Sequence, residues 1–172
     1  VRCPNAAVGD SGVVNGIQYT KRDRAEMDFL VLNSMYSDIA SACTTGISDM
    51  SNLLSQKQSF NEDIGSWDVS AVTTMEALFA YSSSFNHDIS AWDVSNVTNM
   101  KDLFQGADSF NQPLNGWDVS NVTTMESMFA SNDGFNQDLD QWDVSSVTTM
   151  HEMFCNADAF NGNLGAWDVS NV

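Results

Sequence analysis

Apolar residues return every 25 residues from residue 60 onward, and no insertion breaks the period. Each unit carries Phe-Asn, then Trp-Asp-Val-Ser, then a Met followed by Leu or Met and a Phe. A chain that repeats this strictly buries its apolar face only against neighbouring units. The recurring large apolar residues are therefore predicted to form core columns. These are Trp67, Trp92, Trp117, Trp142 and Trp167; Met75, Met100, Met125 and Met150; and Phe79, Phe104, Phe129 and Phe154.

The spacing inside one unit predicts a short strand followed by a short helix. The run Ile89-x-x-Trp92-x-Val94 has the spacing of the strand line of leucine-rich repeats, which places a strand over about residues 91–94. The next segment, Val-Thr-x-Met-x-x-Leu/Met-Phe, has the three-and-four spacing of one buried helical face. The predicted N-caps are Thr73, Thr123 and Thr148, and Glu76 and Glu126 would complete capping boxes in two units.

These elements predict an α/β solenoid, a leucine-rich-repeat-like right-handed coil of short parallel strands and short helices. Residues 1–42 are expected to be an N-terminal cap segment, since Arg22 to about Ala40 has an amphipathic helix pattern and an end coil would otherwise expose its core. Residues 43–172 are expected to be the repeats, with a degenerate first coil at 43–59. The last unit stops inside its Trp-Asp-Val-Ser-Asn-Val phrase, so we expect a longer chain with other domains.

An asparagine follows the first phenylalanine of every unit. We expect these side chains to stack one unit apart and to bond backbone groups of the adjacent turn, as buried polar side chains must. A structural role is favoured over a ligand role. The column comprises Asn61, Asn86, Asn111, Asn136 and Asn161.

The repeated phrase F-N-x-D-I/L-x-x-W-D-V-S-N-V-T-x-M-x-x-L/M-F-x-x-A resembles the 25-residue repeat of BspA-like leucine-rich repeat surface proteins, first noted as a mycoplasma lipoprotein repeat. The segments Cys3-Pro4-Asn5, Val14-Asn15-Gly16-Ile17 and Cys43-Thr44-Thr45 also resemble the leading part of that family. The resemblance covers nearly the whole chain. It implies a secreted or surface-anchored protein that acts in adhesion or protein recognition.

Cysteine usage agrees with an extracellular or cell-surface location. A bridge between Cys3 and Cys43 would join the N-terminal segment to the first coil and contribute roughly 3 to 4 kcal/mol in the chain-entropy model. Cys155 is then a lone thiol. The alternative is a cytosolic protein with all three cysteines reduced.

The charge balance excludes several partners. The chain holds 23 acidic residues against 6 basic ones, for a net charge of −17, and from residue 60 onward there are 17 acidic residues and one lysine. Such a polyanion repels phosphate backbones, so nucleic acid is not an expected partner. No stretch approaches the ~20 apolar residues of a membrane span, so direct membrane insertion is not expected either.

An aspartate follows the tryptophan of every unit and is predicted to point outward from the strand. Neighbours about 4.8 Å apart would repel by about 3 kcal/mol at an effective dielectric constant of about 20, so something must compensate. In one interpretation each carboxylate accepts local hydrogen bonds from its own Asp-x-Ser-x-x-Thr turn. In the other interpretation the row of carboxylates binds Ca²⁺, which would then be the one cofactor of the protein. We call this set the Asp column: Asp68, Asp93, Asp118, Asp143 and Asp168.

The sequence therefore predicts a non-enzymatic module that binds a protein or glycan partner through the acidic strand face, with or without Ca²⁺. The Asp column is the predicted contact surface, because outward positions beside it vary between units and a basic or calcium-bridged partner would suit its field. The alternative is a calcium-stiffened spacer within a larger adhesin. An enzyme is not expected, since no nucleophile, base or cofactor motif converges anywhere.

Overall fold

The computed structural model describes residues 1–172. All of its regular helices and strands lie before residue 44, and the strands form one sheet in the order β1-β2-β3. The β1–β2 pair is antiparallel and the β2–β3 pair is parallel. The elements are β1 (Ser11–Val14), β2 (Ile17–Lys21), α1 (Arg24–Leu32), α2 (Tyr36–Ala40) and β3 (Ala42–Cys43).

The hairpin of β1 and β2 turns through Asn15 and Gly16, whose φ angles are 52° and 82°. A two-residue turn with both φ values positive matches the twist of the flanking strands, and Asn-Gly is its preferred sequence. These strands were not predicted, although this pair of residues signals them. The hairpin side chains Val13 and Ile17 are exposed.

The predicted single helix over 22–40 is wrong, because it is divided into α1 and α2. Asp23 caps α1 by accepting a 2.9 Å hydrogen bond from the Glu26 amide, and Ser34 at φ 55° separates the two helices. Met27, Leu30, Val31 and Ile39 are buried in the core of the protein. The pattern misassigned part of the inner face, since Phe29 and Leu32 are 60% and 79% exposed.

The predicted α/β solenoid is also wrong. No helix or strand follows Cys43, and the predicted strand over 91–94 is a turn and irregular backbone. The 25-residue units instead meet through single parallel bridges, one per unit, at the residue before each methionine. These bridges pair Asp49 with Thr74, Thr74 with Asn99, Asn99 with Thr124, and Thr124 with Thr149.

The predicted helices are runs of turns. The amides of Met75 and Ala77 donate to Asn99 and Lys101 in the next unit, at 3.0 and 2.9 Å, whereas the Leu78 amide donates to the carbonyl three residues back. An α-helix needs bonds four residues back and negative φ throughout. Left-handed residues recur in pairs four residues apart instead. The pairs are Asn52 and Gln56, Ala77 and Tyr81, Asp102 and Gly106, Ser127 and Ser131, and Glu152 and Asn156.

The predicted capping threonines join neighbouring units rather than begin helices. The hydroxyl of Thr123 donates to the Thr98 carbonyl at 3.0 Å, and that of Thr148 donates to the Thr123 carbonyl at 3.1 Å. Thr73 makes the same bond to Ser48. The N-cap prediction therefore fails together with the helices.

The predicted core columns are confirmed up to the last unit, where the side chains are only partly buried. Phe79 stacks on Phe104 with ring centroids 5.5 Å apart, and Trp67 stacks on Trp92 at 6.1 Å. The indoles of the four later tryptophans each donate to a carbonyl of the preceding unit, as Trp92 does to Ile64 at 3.2 Å. The Trp67 indole donates to the Ile39 carbonyl of α2 at 3.0 Å, so the polar end of every tryptophan is satisfied by a carbonyl outside its own unit.

The asparagine column makes the predicted inter-unit bonds. The Asn86 amide donates to Oδ1 of Asn61, and the Asn111 amide donates to Oδ1 of Asn86, both at 3.0 Å. Asn136 and Asn161 continue the series. These side chains are exposed rather than buried, so the expected burial is wrong.

None of the helices combines the length and the apolar character needed to cross a lipid bilayer.

Candidate functional site

The Asp column lies on the surface beside the tryptophan core. Its first four members each lie between a core tryptophan and a core valine, whereas Asp168 lies between the partly buried Trp167 and the exposed Val169. Four members are exposed, and Asp68, the first, is buried. The column therefore has a closed end at Asp68 and Asp93, next to the N-terminal segment, and an open run that consists of Asp118, Asp143 and Asp168.

Each exposed aspartate is bonded to the serine two residues ahead. In Asp118, Oδ1 accepts from the Ser120 hydroxyl at 2.6 Å and from its amide at 3.1 Å. Hydrogen bonds of this kind lower the pKa values of Asp118, Asp143 and Asp168, because they favour the ionised carboxylate. The local-turn interpretation of the column is therefore supported.

Only one oxygen of each exposed aspartate is used in this way. Oδ1 of Asp143 accepts from the Ser145 amide at 3.0 Å, and Oδ1 of Asp168 accepts from the Ser170 amide at 3.1 Å. The second oxygens of Asp118, Asp143 and Asp168 have no hydrogen-bond partner within the chain. The open run thus presents a series of accessible, ionised carboxylate oxygens.

Asp68 is held from both sides. Its Oδ2 accepts from the Thr45 hydroxyl at 2.6 Å, and its Oδ1 accepts from the Ser70 hydroxyl at 2.7 Å. Burial raises the pKa of Asp68, but the hydrogen bonds from Thr45 and Ser70 and the nearby Arg2 outweigh it, so the net pKa is lowered. Asp68 is thus an ionised structural anchor.

Arg2 lies across the first two members of the Asp column. Its Nε is 3.6 Å from Oδ1 of Asp68, and its Nη2 is 3.6 Å from Oδ2 of Asp93. The neighbouring Cys3 is bonded to Cys43 in the predicted disulfide, and the Cys3 amide donates to the Thr45 hydroxyl at 3.0 Å. These two attachments place Arg2 at the closed end of the column.

Arg2 and Thr45 were not predicted as part of this site. The repeat pattern contains neither residue, and both reach the column because the disulfide and the first unit bring the N-terminal segment to it. The one signal in the sequence is the position of an arginine beside a cysteine that was already expected to be bridged.

The structure adds no support to the calcium hypothesis. Nowhere do three acidic, histidine or cysteine side chains converge as a set that could hold a metal ion. The members of the Asp column are spread one per unit, and each already has one oxygen engaged with a serine in its own turn.

The outward positions beside the Asp column differ from unit to unit. Asn96 and Asn121 donate from their side-chain amides to the carbonyls of Ser70 and Ser95, both at 2.8 Å. Ser146 interrupts this set in the fourth unit, and Asn171 resumes it. The surface is therefore a constant line of aspartates with variable neighbours.

One family model matches most of the chain. It is described as "Mycoplasma protein of unknown function, DUF285", and it matches residues 25–129 and 92–172. The chain belongs to this family. The mycoplasma part of the predicted resemblance is thereby confirmed, whereas the leucine-rich-repeat architecture is not found in this DUF285 protein. No curated protein and no solved structure matches the chain.

Proposed function

We propose that this DUF285 protein is a non-enzymatic recognition or adhesion module that binds a protein or glycan partner through the open run of the Asp column. The observation that carries the proposal is the set of free carboxylate oxygens on Asp118, Asp143 and Asp168. Charge repeated in a line creates a field that attracts a cationic partner and aligns it along the column.

The Cys3–Cys43 disulfide supports a secreted or cell-surface location for this module. Disulfides form and persist in oxidising compartments and are rare in reducing ones. The remaining cysteine, Cys155, is exposed. A surface location also agrees with a recognition role.

The absence of catalysis is part of the proposal. Neither histidine makes a hydrogen bond to a hydroxyl or thiol that it could activate: His87 bonds the Asn61 carbonyl at 2.9 Å, and His151 lies 3.9 Å from Glu152. A nucleophilic mechanism needs a nucleophile and a base within hydrogen-bond reach.

The test is a binding screen against purified basic and acidic proteins and against neutral, acidic and aminated glycans. Wild type is compared with Asp118→Asn/Asp143→Asn and with the matched control Asp133→Asn/Asp158→Asn, which removes the same charge from exposed aspartates of another column. We expect binding that only the first variant loses. A screen without binding, or binding that neither variant changes, would refute the proposal.

The alternative function is a spacer in a larger adhesin, stiffened by calcium. The spacer is supported by the hydrogen bonds that the asparagines and threonines make between neighbouring 25-residue units. These bonds repeat from unit to unit and favour a rigid rod. Thermal melting with EDTA and then with millimolar Ca²⁺ tests the calcium part. A calcium-stiffened spacer requires a higher midpoint with Ca²⁺, and an unchanged midpoint would exclude it.

A further inference from the structure

One cationic side chain of the protein, that of Arg2, already binds to the Asp column. The guanidinium of Arg2 lies between two successive aspartates, with Nε facing Asp68 and Nη2 facing Asp93, each at 3.6 Å. The Arg2 side chain is 66% exposed, and the disulfide of the neighbouring Cys3 brings it to these two carboxylates. The closed end of the column is thus a site with its cation in place.

We propose that the open run of the Asp column recognises arginine side chains of an extended basic peptide segment, each guanidinium bridging two successive aspartates as Arg2 does. This inference rests on the proposed function of the column. It names the chemistry of the partner: a protein segment with regularly spaced arginines.

The spacing of the column suits a guanidinium better than an ammonium. Neighbouring units pair through parallel bridges, which places equivalent backbone atoms about 4.8 Å apart. The planar guanidinium presents several N–H donors in a fixed fork and can face two carboxylates at once. A lysine ammonium is a compact point charge that neutralises one carboxylate at a time.

The later aspartates repeat the one-per-unit spacing of this site without a cation, and they differ from the buried Asp68 in being exposed. Asp118, Asp143 and Asp168 form no ion pair, since Lys101, the one lysine after residue 60, pairs with Glu126 instead. Like-charge repulsion between Asp118 and Asp143, and between Asp143 and Asp168, acts against the ionised state of Asp118 and Asp168. A bridging guanidinium would relieve this repulsion.

The period of the column sets the spacing of the arginines. Two units span roughly 10 Å, and one turn of a peptide in the extended polyproline II conformation spans roughly 9 Å over three residues, with residues i and i+3 on the same side. We call the space between two successive aspartates of the Asp column a gap. A peptide with arginine at every third position would therefore place one guanidinium in every second gap. Arg2 already occupies the first gap, so removing it should open one more position.

The test uses two synthetic peptides with blocked ends, one with arginine at every third position between glycine and serine, and one with lysine in its place. Titration at low salt with the full chain should give tighter binding of the arginine peptide. Asp118→Asn/Asp143→Asn should weaken that binding by about tenfold, the equivalent of two exposed ion pairs, while Asp133→Asn/Asp158→Asn should leave it unchanged. Arg2→Gln should tighten it by about two- to fivefold.

Several results would overturn this inference. Equal affinity for both peptides would mean attraction by net charge alone, and equal loss in both aspartate variants would mean the same. Arginine-peptide binding that Arg2→Gln leaves unchanged would mean that Arg2 is not a stand-in for the ligand. If neither peptide binds but a partner from the screen still depends on Asp118 and Asp143, the inference fails and the proposed function stands. If no ligand depends on these residues, both fail.

Discussion

The Thr45 hydroxyl donates a 2.6 Å hydrogen bond to Oδ2 of Asp68, and the same hydroxyl accepts a hydrogen bond from the Cys3 amide. One side chain therefore connects the disulfide-linked N-terminal segment to the first member of the Asp column. Since Asp68 is buried and ionised, this bond compensates a carboxylate that the fold has removed from water.

Replacing Thr45 by valine should lower the free energy of unfolding at pH 7 by about 1–3 kcal/mol, because the buried, charged Asp68 loses one of its hydrogen-bond donors. The pKa of Asp68 is lowered in the folded wild type, so Asp68 contributes stability above its unfolded pKa of about 3.9, and that stability is lost as the pH falls through the folded value. Thr45→Val should lose much of the stability that the ionised Asp68 contributes above this pKa. Urea unfolding between pH 3 and pH 7 measures both effects.

Thr149→Val is the matched control, because the Thr149 hydroxyl makes no hydrogen bond within the chain. It should change the unfolding free energy by less than about 0.5 kcal/mol. Equal losses in the two variants at every pH would show that the Thr45–Asp68 bond has no special role.

An exposed member of the Asp column should tolerate asparagine but not alanine. In Asp118→Asn the side-chain oxygen still accepts from Ser120, whereas in Asp118→Ala the Ser120 hydroxyl and amide lose their acceptor. We expect almost no change for asparagine and a loss of about 1 kcal/mol for alanine. Thermal melting of both variants checks this, and a large loss in Asp118→Asn would show that the charge itself stabilises the fold.

Gly106 should be intolerant of alanine. It lies at φ +62° in a run of turns, and an added Cβ would lie 2.6 Å from Cδ1 of Tyr81 in the preceding unit. Gly116→Ala is the control, since that Cβ would have no neighbour within 4 Å. We expect a loss of about 1–2 kcal/mol or more for Gly106→Ala from the backbone conformation alone.

The contact with Tyr81 can be separated from the backbone term. Adding Tyr81→Ser to Gly106→Ala should recover part of the loss, because it removes the ring but leaves the left-handed backbone of residue 106. Denaturant unfolding of the three variants measures this. A Gly106→Ala variant as stable as Gly116→Ala would contradict the packing described here.

Reduction of the Cys3–Cys43 disulfide should destabilise the chain by roughly 3 to 4 kcal/mol, since the bridge closes a loop over a sequence separation of 40 residues. The measurement compares unfolding with and without a reductant in a Cys155→Ser background, which removes the exposed free thiol. An unchanged midpoint after complete reduction would show that the N-terminal segment contributes little to stability.

The sequence predicted the core but not the backbone that carries it. Core columns such as Phe79–Phe104 can be read from the sequence because their side chains repeat every 25 residues. The asparagine bonds follow from the same repeat, and the disulfide follows from the places of its two cysteines at either end of the N-terminal segment. The elements were missed because apolar residues at spacings of three and four suit a helix and a run of turns alike. The difference lies in left-handed residues such as Ala77 and Tyr81, whose identities do not signal that conformation.

The candidate site was also predicted only in part, because the sequence reveals the contacts that repeat in every unit. The repeat shows the Asp column and the serine two residues after each member, so the local turns could be predicted. The contact of Arg2 with Asp93 could not, because it depends on how the disulfide places the N-terminal segment against the first units. Contacts made once, outside the repeat, have no periodic signature.

The central claim is that the open run of the Asp column is the recognition surface, and amide chemical-shift mapping by NMR tests it most directly. The Ser120, Ser145 and Ser170 amides each donate to an aspartate of the open run, so they report on these carboxylates. On addition of the arginine peptide, the largest shifts are expected at these three amides, with little change at Asn111 and Asn136. Largest shifts in α1 or in the asparagine column, with those serine amides unmoved, would contradict the claim.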